Sequence, residues 1–369
     1  MKILHVYRTY FPDSQGGLEE AIRQLCAGTS ALGVQNRIFT LSPDPSPAVL
    51  SREEAEVHRF RRDFEIASCS MSLRCLSGFR QLVAWADIVH YQFPWPFADL
   101  LHFAAAVRKP TLISYQADIV RQQGWLRLYQ PLMHRFLAAA AAIVASTPNY
   151  AASSPVLPGY LHKLRIIPIG LDPGRYPPAS EDQLAAVRHR YGQDYFLFVG
   201  VLRYYKGLHL LLEAARNAPF GLVIVGSGPM ENALRQQAAS LGLTNVRFTG
   251  FVDDGVKTAL YAQARAVVFP SHLRSEAFGV TLLEGALFGK PLISAEIGSG
   301  MSYINQHLHT GLIVPANDPA ALRQAMLQLH RDPALARKFG DNAYQRYCRL
   351  FTAQRMAGCY HKLYLDLLG

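Results

Sequence analysis

Short runs of aliphatic and β-branched residues alternate along the chain with longer segments whose apolar residues recur at helical spacing. Two series of runs stand out: residues 2–6, 36–41, 87–91, 111–114, 142–146 and 165–169, then 195–199, 222–225, 245–248, 266–269, 291–294 and 311–314. Several, such as Phe196-Leu197-Phe198-Val199, are apolar at consecutive positions rather than at alternate ones. A strand of that kind is covered on both faces, as in the middle of a parallel sheet flanked by helices. Helix-length segments fall between the runs, for example 18–32, 208–217, 230–241 and 320–330. This alternation predicts an α/β fold made of two doubly wound domains. Gly and Pro concentrate in Ile169-Gly170-Leu171-Asp172-Pro173-Gly174-Arg175-Tyr176-Pro177-Pro178, which marks the boundary. The expected division is 1–172, 173–350, and a C-terminal helix over 351–369 that can cross back to the first domain.

Composition narrows the picture. Half of the 369 residues are hydrophobic and 17% are charged, which excludes a disordered or coiled-coil chain. The net charge of +10 is spread over both halves. It suits phosphate-bearing small molecules, an anionic membrane surface or nucleic acid. The five cysteines are odd in number and form no C-x-x-C, so reduced thiols in the cytoplasm are expected. The start of the chain turns polar too soon for a signal peptide, and the longest apolar run, 136–145, is about half of a bilayer span.

In open α/β sheets ligands bind beyond the carboxyl ends of the strands, so chemistry is sought in the loops that follow them. After the first strand, Gly16-Gly17 opens a helix, where backbone N–H groups can approach an anion; an ordinary strand-to-helix turn looks the same. The spacing is not G-x-G-x-x-G. After residues 195–199, Arg203 and Lys206 flank a turn before another helix, offering fixed positive charge to a diphosphate leaving group. The stretch from Ser271 to Glu284 is the most informative. Glu276 lies in a loop, Phe278, Gly279 and Val280 open a helix with free N–H groups, and Glu284 lies further along it on a mostly apolar face. Glu276 can bind sugar hydroxyls or steady a developing cation, and Glu284 needs a partner, for which ribose hydroxyls or a salt bridge would serve. Asp254 and Lys257 complement the edge of a guanine, although Asp253 as a helix cap and Lys257 as a solvated cation explain the same residues. No D-x-D occurs, and no metal is expected. Residues 119–162 contain no acid, and Arg121, Trp125 and Arg127 lie among apolar residues there. Such a stretch suits an anionic membrane surface, and its apolar residues equally suit the core of the first domain; no nucleic-acid-binding motif accompanies it.

Glu276 and Glu284 form an E-x7-E pattern with Phe278-Gly279 inside it, and here the chain resembles the family 4 glycosyltransferases. Gly16-Gly17 resembles that family's N-terminal glycine loop, Ile167 to Asp172 its connector, and Arg203 with Lys206-Gly207 its diphosphate clamp. Gly226-Ser227-Gly228-Pro229 and Gly298-Ser299-Gly300 resemble its turns. Within the family, residues 4–12, 93–97 and 202–206 look most like bacterial mannosyl- and rhamnosyltransferases of O-antigen assembly. The resemblance implies the GT-B fold, two Rossmann-like domains facing across a cleft. It implies retaining transfer of mannose or rhamnose from a GDP-sugar to a polyprenyl-diphosphate-linked glycan, with Asp254 and Lys257 matching GDP-sugar enzymes. In that scheme Glu276, Lys206 and Arg203 are catalytic, Gly16, Gly17, Phe278, Gly279, Val280 and Glu284 contact the donor, and Gln116 and Asp118 contact acceptor or sugar. In the same scheme no cofactor is expected beyond the donor substrate, and the enzyme is expected to sit peripherally on the inner face of the cytoplasmic membrane. The chain departs from the family in Gly200-Val201, where Gly-Arg is usual, and in Gln116 and Gln92, where His is usual. A sugar-nucleotide epimerase on the same fold and an inactive sugar-nucleotide-binding partner remain open alternatives.

Overall fold

The computed structural model describes residues 1–66, 69–119 and 123–369. They form two compact units, one of residues 1–170 with 353–369 and one of residues 171–352.

The first unit contains strands β1 (Lys2–Val6), β2 (Gln35–Ser42), β3 (Val49–Ser51), β4 (Glu56–Arg61), β5 (Phe64–Ile66), β6 (Cys69–Met71), β7 (Ile88–Phe93), β8 (Thr111–Tyr115), β9 (Ala142–Ala145) and β10 (Leu164–Ile166). Eight of them build one sheet in the order β10-β9-β8-β7-β1-β2-β4-β3, while β5 and β6 pair as a hairpin. All neighbours in the sheet run parallel except β3, which is antiparallel to β4. β1 lies between β2 and β7, so the strand order reverses there and the loops after β1 and β7 flank the switch point where ligands bind in such sheets.

The C-terminal helix Ala353–Leu368 belongs to this unit. It buries Ala353, Met356, Ala357, Tyr360, Leu363 and Tyr364, a stripe three and four residues apart. It lies against the helix Gly17–Ser30, so closely at Gly28 that a Cβ there would come within 2.7 Å of the Ala357 Cβ.

The sequence pattern anticipates the long apolar strands of this sheet and misses β3, β4 and the β5–β6 hairpin. Segment 56–61 reads as charged, yet both Val57 and Arg59 are buried. Arg59 tolerates burial because Asp13 meets its guanidinium with both oxygens, Nη2 to Oδ1 at 2.7 Å and Nε to Oδ2 at 3.0 Å. A strand whose inward face depends on a distant counter-ion carries no local signature.

The second unit is a six-stranded sheet of β11 (Phe196–Val199), β12 (Leu222–Val225), β13 (Val246–Gly250), β14 (Ala266–Phe269), β15 (Leu292–Glu296) and β16 (Gly311–Pro315). The order is β13-β12-β11-β14-β15-β16, parallel throughout. Every residue of β12 and β14 is buried, as their unbroken apolar sequences require. The order reverses between β11 and β14, and the loops after these two strands carry Lys206 and Glu276. Among the described residues no helix is long and apolar enough to cross a membrane.

Candidate active site

After β11 the chain makes a 3-10 turn, Tyr204–Lys206, that ends at Gly207 with φ 71°. A Cβ on Gly207 would lie 2.1 Å from the carbonyl oxygen of Pro270, so only glycine lets this turn press against the loop after β14. The two loops are joined by the His272 N–H donating to the Tyr205 carbonyl at 3.0 Å. Lys206 and Glu276, 70 positions apart, consequently meet as an ion pair in which Nζ donates to Oε2. Each side chain is only 12% exposed, and Nζ lies 4.4 Å from the centre of the Phe269 ring. Arg203 is exposed, and among the described residues it forms no ion pair. Gly207→Ala is expected to destabilise the second unit by more than about 1 kcal/mol, because the new methyl group meets backbone and the left-handed φ is strained as well. Chemical denaturation of the variant measures this, and an unchanged midpoint would refute the packing argument.

The loop after β14 ends at Gly279, φ 91°, which caps the helix Val280–Leu287. The N–H groups of Phe278, Gly279 and Val280 have no backbone acceptor among the described residues, as expected of a helix start. Neighbouring strands brace them. Gly300 after β15 donates to the Ala277 carbonyl at 2.7 Å, Arg274 donates to the Gly298 carbonyl, and the Thr281 hydroxyl donates to the Val199 carbonyl at 2.9 Å. The result is an ammonium, a carboxylate and a row of N–H groups at the carboxyl ends of β11 and β14.

Glu284 is buried one turn and a half into the same helix, and its partners are now visible. Tyr176 donates to Oε1 at 3.0 Å, Tyr261 donates to Oε2 at 2.7 Å, and the Lys257 ammonium lies 3.5 Å from Oε1. Burial, reinforced by the adjacent carboxylate, pushes the Tyr261 hydroxyl well up, so it keeps the proton it donates. Of the partners the sequence offered, the structure shows the salt bridge, to Lys257, and it adds two phenols. A carboxylate has about four acceptor sites, so these three leave room for a further hydroxyl. Lys257 also pairs with Asp254 at 2.9 Å, while Asp253 caps its helix by accepting from the Val256 N–H at 2.9 Å. Tyr176 and Tyr261 escaped the sequence reading; the demand of a buried Glu284 for donors was their only signal.

In the first unit, Gly16 is the extended cap residue of the helix Gly17–Ser30. The anion pictured at this helix start meets a carboxylate of the chain itself. Glu19 folds back so that its Oε2 would lie 2.7 Å from a Cβ on Gly16, and its Oε1 accepts from Thr9 at 2.9 Å and Ser14 at 2.7 Å. Gln116, just past β8, donates from Nε2 to the Gln92 Oε1 at 3.0 Å. Asp118, expected as a sugar contact, is buried, with Oδ1 accepting from Tyr115 at 2.9 Å and Ser154 at 2.7 Å. Those two hydroxyls satisfy a carboxylate oxygen that would otherwise be costly to bury, and the side chain fastens the loop after β8 to its surroundings.

Of the residues expected at a membrane surface, Arg121 lies outside the described residues, as does the side chain of Trp125. Arg127 is exposed on the helix Gln123–Ala139, beside Leu128, which is 77% exposed. Among the described residues no three His, Cys, Asp or Glu side chains gather so as to hold a metal ion.

Comparison with known proteins bears on both units. Residues 16–170 match the family described as "Glycosyl transferase 4-like domain", and residues 180–346 match "Glycosyl transferases group 1". Over 353 residues the chain is 51% identical to the D-rhamnosyltransferase WbpZ of Pseudomonas aeruginosa, covering 96% of this chain and 93% of that protein. Over 368 residues it is 46% identical to O-antigen chain mannosyltransferase C of Escherichia coli, covering 100% and 99%. HepE of Anabaena, solved in complex with UDP-glucose, shares the fold with a TM-score of 0.80 at 19% identity, covering 99% and 100% of the two chains. Because the identity to the two transferases runs through both units, each unit is built on a largely parallel α/β sheet, and the fold is shared with solved glycosyltransferases, the chain belongs to the family 4 glycosyltransferases and has the GT-B fold.

Proposed function

We propose that this glycosyltransferase moves a hexose, mannose or rhamnose, from a GDP-sugar to a polyprenyl-diphosphate-linked glycan in O-antigen or surface polysaccharide synthesis. The names of the two transferases it resembles support the sugar and the product. The observation that carries the chemistry is the Lys206–Glu276 ion pair beside the free N–H groups of Phe278, Gly279 and Val280. A departing nucleoside diphosphate needs cations and N–H donors where its charge grows, and a carboxylate next to them suits the sugar, which turns positive as the bond stretches.

In this reading Arg203 and Lys206 hold the diphosphate together with the helix start. They neutralise it with no metal ion. The diphosphate competes with Glu276 for the Lys206 ammonium, and Glu276 is released towards hydroxyls of the hexose. Glu284 accepts from ribose, and Asp254 with Lys257 takes the polar edge of guanine. Gln116 contacts a sugar hydroxyl. The product keeps the donor's anomeric configuration, the leaving phosphate taking the acceptor's proton. The basic stretch around Arg127, with Leu128 exposed beside it, draws the protein to the inner face of an anionic membrane, where a lipid-linked acceptor resides.

Purified protein incubated with GDP-mannose, GDP-rhamnose or UDP-glucose, with and without lipid-linked acceptor, tests this. Release of GDP is expected with a GDP-sugar, and only when acceptor is present. Release from UDP-glucose alone would overturn the guanine assignment. Free epimerised sugar formed without acceptor would overturn transfer itself.

A further inference from the structure

The middle of the first unit's sheet holds polar side chains where apolar ones would be cheaper to bury. His5 of β1 and His90 of β7 are register partners, both fully buried, with ring centres 5.0 Å apart. His90 is hydrogen-bonded on both nitrogens. Nε2 lies 2.7 Å from the Ser114 hydroxyl on β8, and Nδ1 lies 2.9 Å from the Tyr364 hydroxyl on the C-terminal helix. The Tyr360 hydroxyl, one turn earlier on that helix, lies 2.8 Å from the Ser114 hydroxyl. Gln92, two residues along β7 and therefore on the same face, brings its Nε2 within 3.5 Å of the His90 Nε2, and its Oε1 accepts from Gln116. An unbroken polar path leads from two tyrosines of the last helix through His90 to Gln116.

The ring hydrogen bonds allow two arrangements of donors and acceptors along this path, and the Gln92 contact favours one of them. Burial holds the His90 ring neutral, so it carries a single N–H. Gln92 accepts from Gln116 through its oxygen and therefore turns its NH2 towards the His90 Nε2, which must be an acceptor. The proton then sits on Nδ1 and is donated to the Tyr364 oxygen. Tyr360 donates to Ser114, and Ser114 donates to Nε2. With the His90 nitrogen set as an acceptor, the Gln92 amide cannot flip without opposing an oxygen to it. Gln116 is thereby fixed too, one N–H committed to Gln92 and its own oxygen directed elsewhere. An amide that reads a hydroxyl gives opposite answers in its two flipped states, so fixing the flip fixes the reading.

We propose that His90 is a positioning residue: locked as the Nδ1–H tautomer by Tyr364 and Ser114, it holds the Gln92–Gln116 pair in one orientation, and that pair discriminates a hydroxyl of the bound sugar. This rests on Gln116 being a sugar contact, as proposed above. It gives the C-terminal helix a part in specificity as well as in packing.

The test is a cycle of Gln116→Ala, His90→Phe and the double variant, with kcat and KM measured for GDP-mannose transfer to lipid-linked acceptor. Gln116→Ala is expected to lower kcat/KM by about 3- to 10-fold, the loss of one hydrogen bond to substrate. His90→Phe should do nearly the same, and the double variant should be no worse than Gln116→Ala alone. Losses that multiply in the double variant, or a folded His90→Phe protein with full kcat/KM, would overturn the positioning role while leaving the sugar contact intact. Full activity in Gln116→Ala would instead remove the sugar contact, and the proposal with it. Should His90→Phe fail to fold, Tyr364→Phe keeps the ring and removes the Nδ1 partner, with a smaller loss of the same kind expected. Independently of activity, NMR of the protein labelled with 15N-histidine should show His90 protonated at Nδ1 and not at Nε2; the opposite tautomer would overturn the proposal.

Discussion

Lys206→Ala is expected to lower turnover by about 10²- to 10³-fold, the scale of losing one donor to an oxyanion in a preorganised site. Lys206 is held by the glycine turn and by Glu276 before any ligand arrives, so in the function proposed above its ammonium is in position at no further cost when the diphosphate charge develops. Its removal also leaves Glu276 as an unpaired, mostly buried carboxylate where an anion must bind, so KM for the donor rises together with the fall in kcat. Glu276→Ala should lower turnover by a comparable factor through the opposite imbalance. On the proposed roles it frees Lys206 for phosphate, so GDP should bind more tightly while transfer slows, the sugar losing its positioning group and the transition state its counter-charge. The two variants are thus separated by calorimetry with GDP, weaker in one and tighter in the other, although both are slow. The double variant should fall well short of the product of the single effects, since the residues touch. Normal turnover in both single variants would remove the assigned roles.

The fold was legible where sheet burial writes itself into consecutive apolar residues. Phe196-Leu197-Phe198-Val199 and the apolar run ending at Phe269 are short runs rich in β-branched or aromatic residues and bounded by turn residues, which distinguishes them from an equally buried helix such as Val280–Leu287. The edge was not legible. Segment 56–61 forms β4 through Arg59 meeting Asp13, 46 positions away, and no periodicity reports a partner at that distance. The candidate site divides along the same line. Lys206 and Glu276 could be named from the loops they occupy, but their ion pair follows from β11 lying beside β14, a neighbour relation that skips β12 and β13. Glu284 announced that it needed donors without saying that Tyr176 and Tyr261 are the donors. Asp118 accepts from Tyr115, three positions away, and from Ser154, 36 positions away, and the second partner could not be read locally. His90 had a faint signal: in Ile88-Val89-His90-Tyr91-Gln92-Phe93 the polar residues recur every second position, which sets His90 and Gln92 on one face of a strand whose residues are all buried.

Arg59→Ala is expected to destabilise the first unit by about 3–5 kcal/mol, the loss seen when one partner of a buried ion pair is removed. The guanidinium does more than neutralise Asp13. Nη1 donates to the carbonyls of Ser46 at 3.2 Å and Pro47 at 3.1 Å, and Nη2 donates to the Asp44 carbonyl at 2.6 Å and the Ser42 hydroxyl at 3.0 Å. One side chain thereby satisfies the turn after β2 and ties it to the loop between β1 and the helix Gly17–Ser30, the loop that carries Gly16. Without it, a carboxylate and several carbonyls lose their donors together. For a unit of this size the change corresponds to a melting midpoint lower by roughly 10 °C. Arg59→Lys should recover little, because a single ammonium cannot span both oxygens of Asp13 while reaching carbonyls on the other side. Hydrogen exchange localises the effect: amides of residues 8–17 and 42–48 should lose protection first, while those of β11 and β14 in the second unit keep theirs. A loss of less than about 1 kcal/mol, the worth of a surface pair, would mean that the glycine loop does not rest on Arg59.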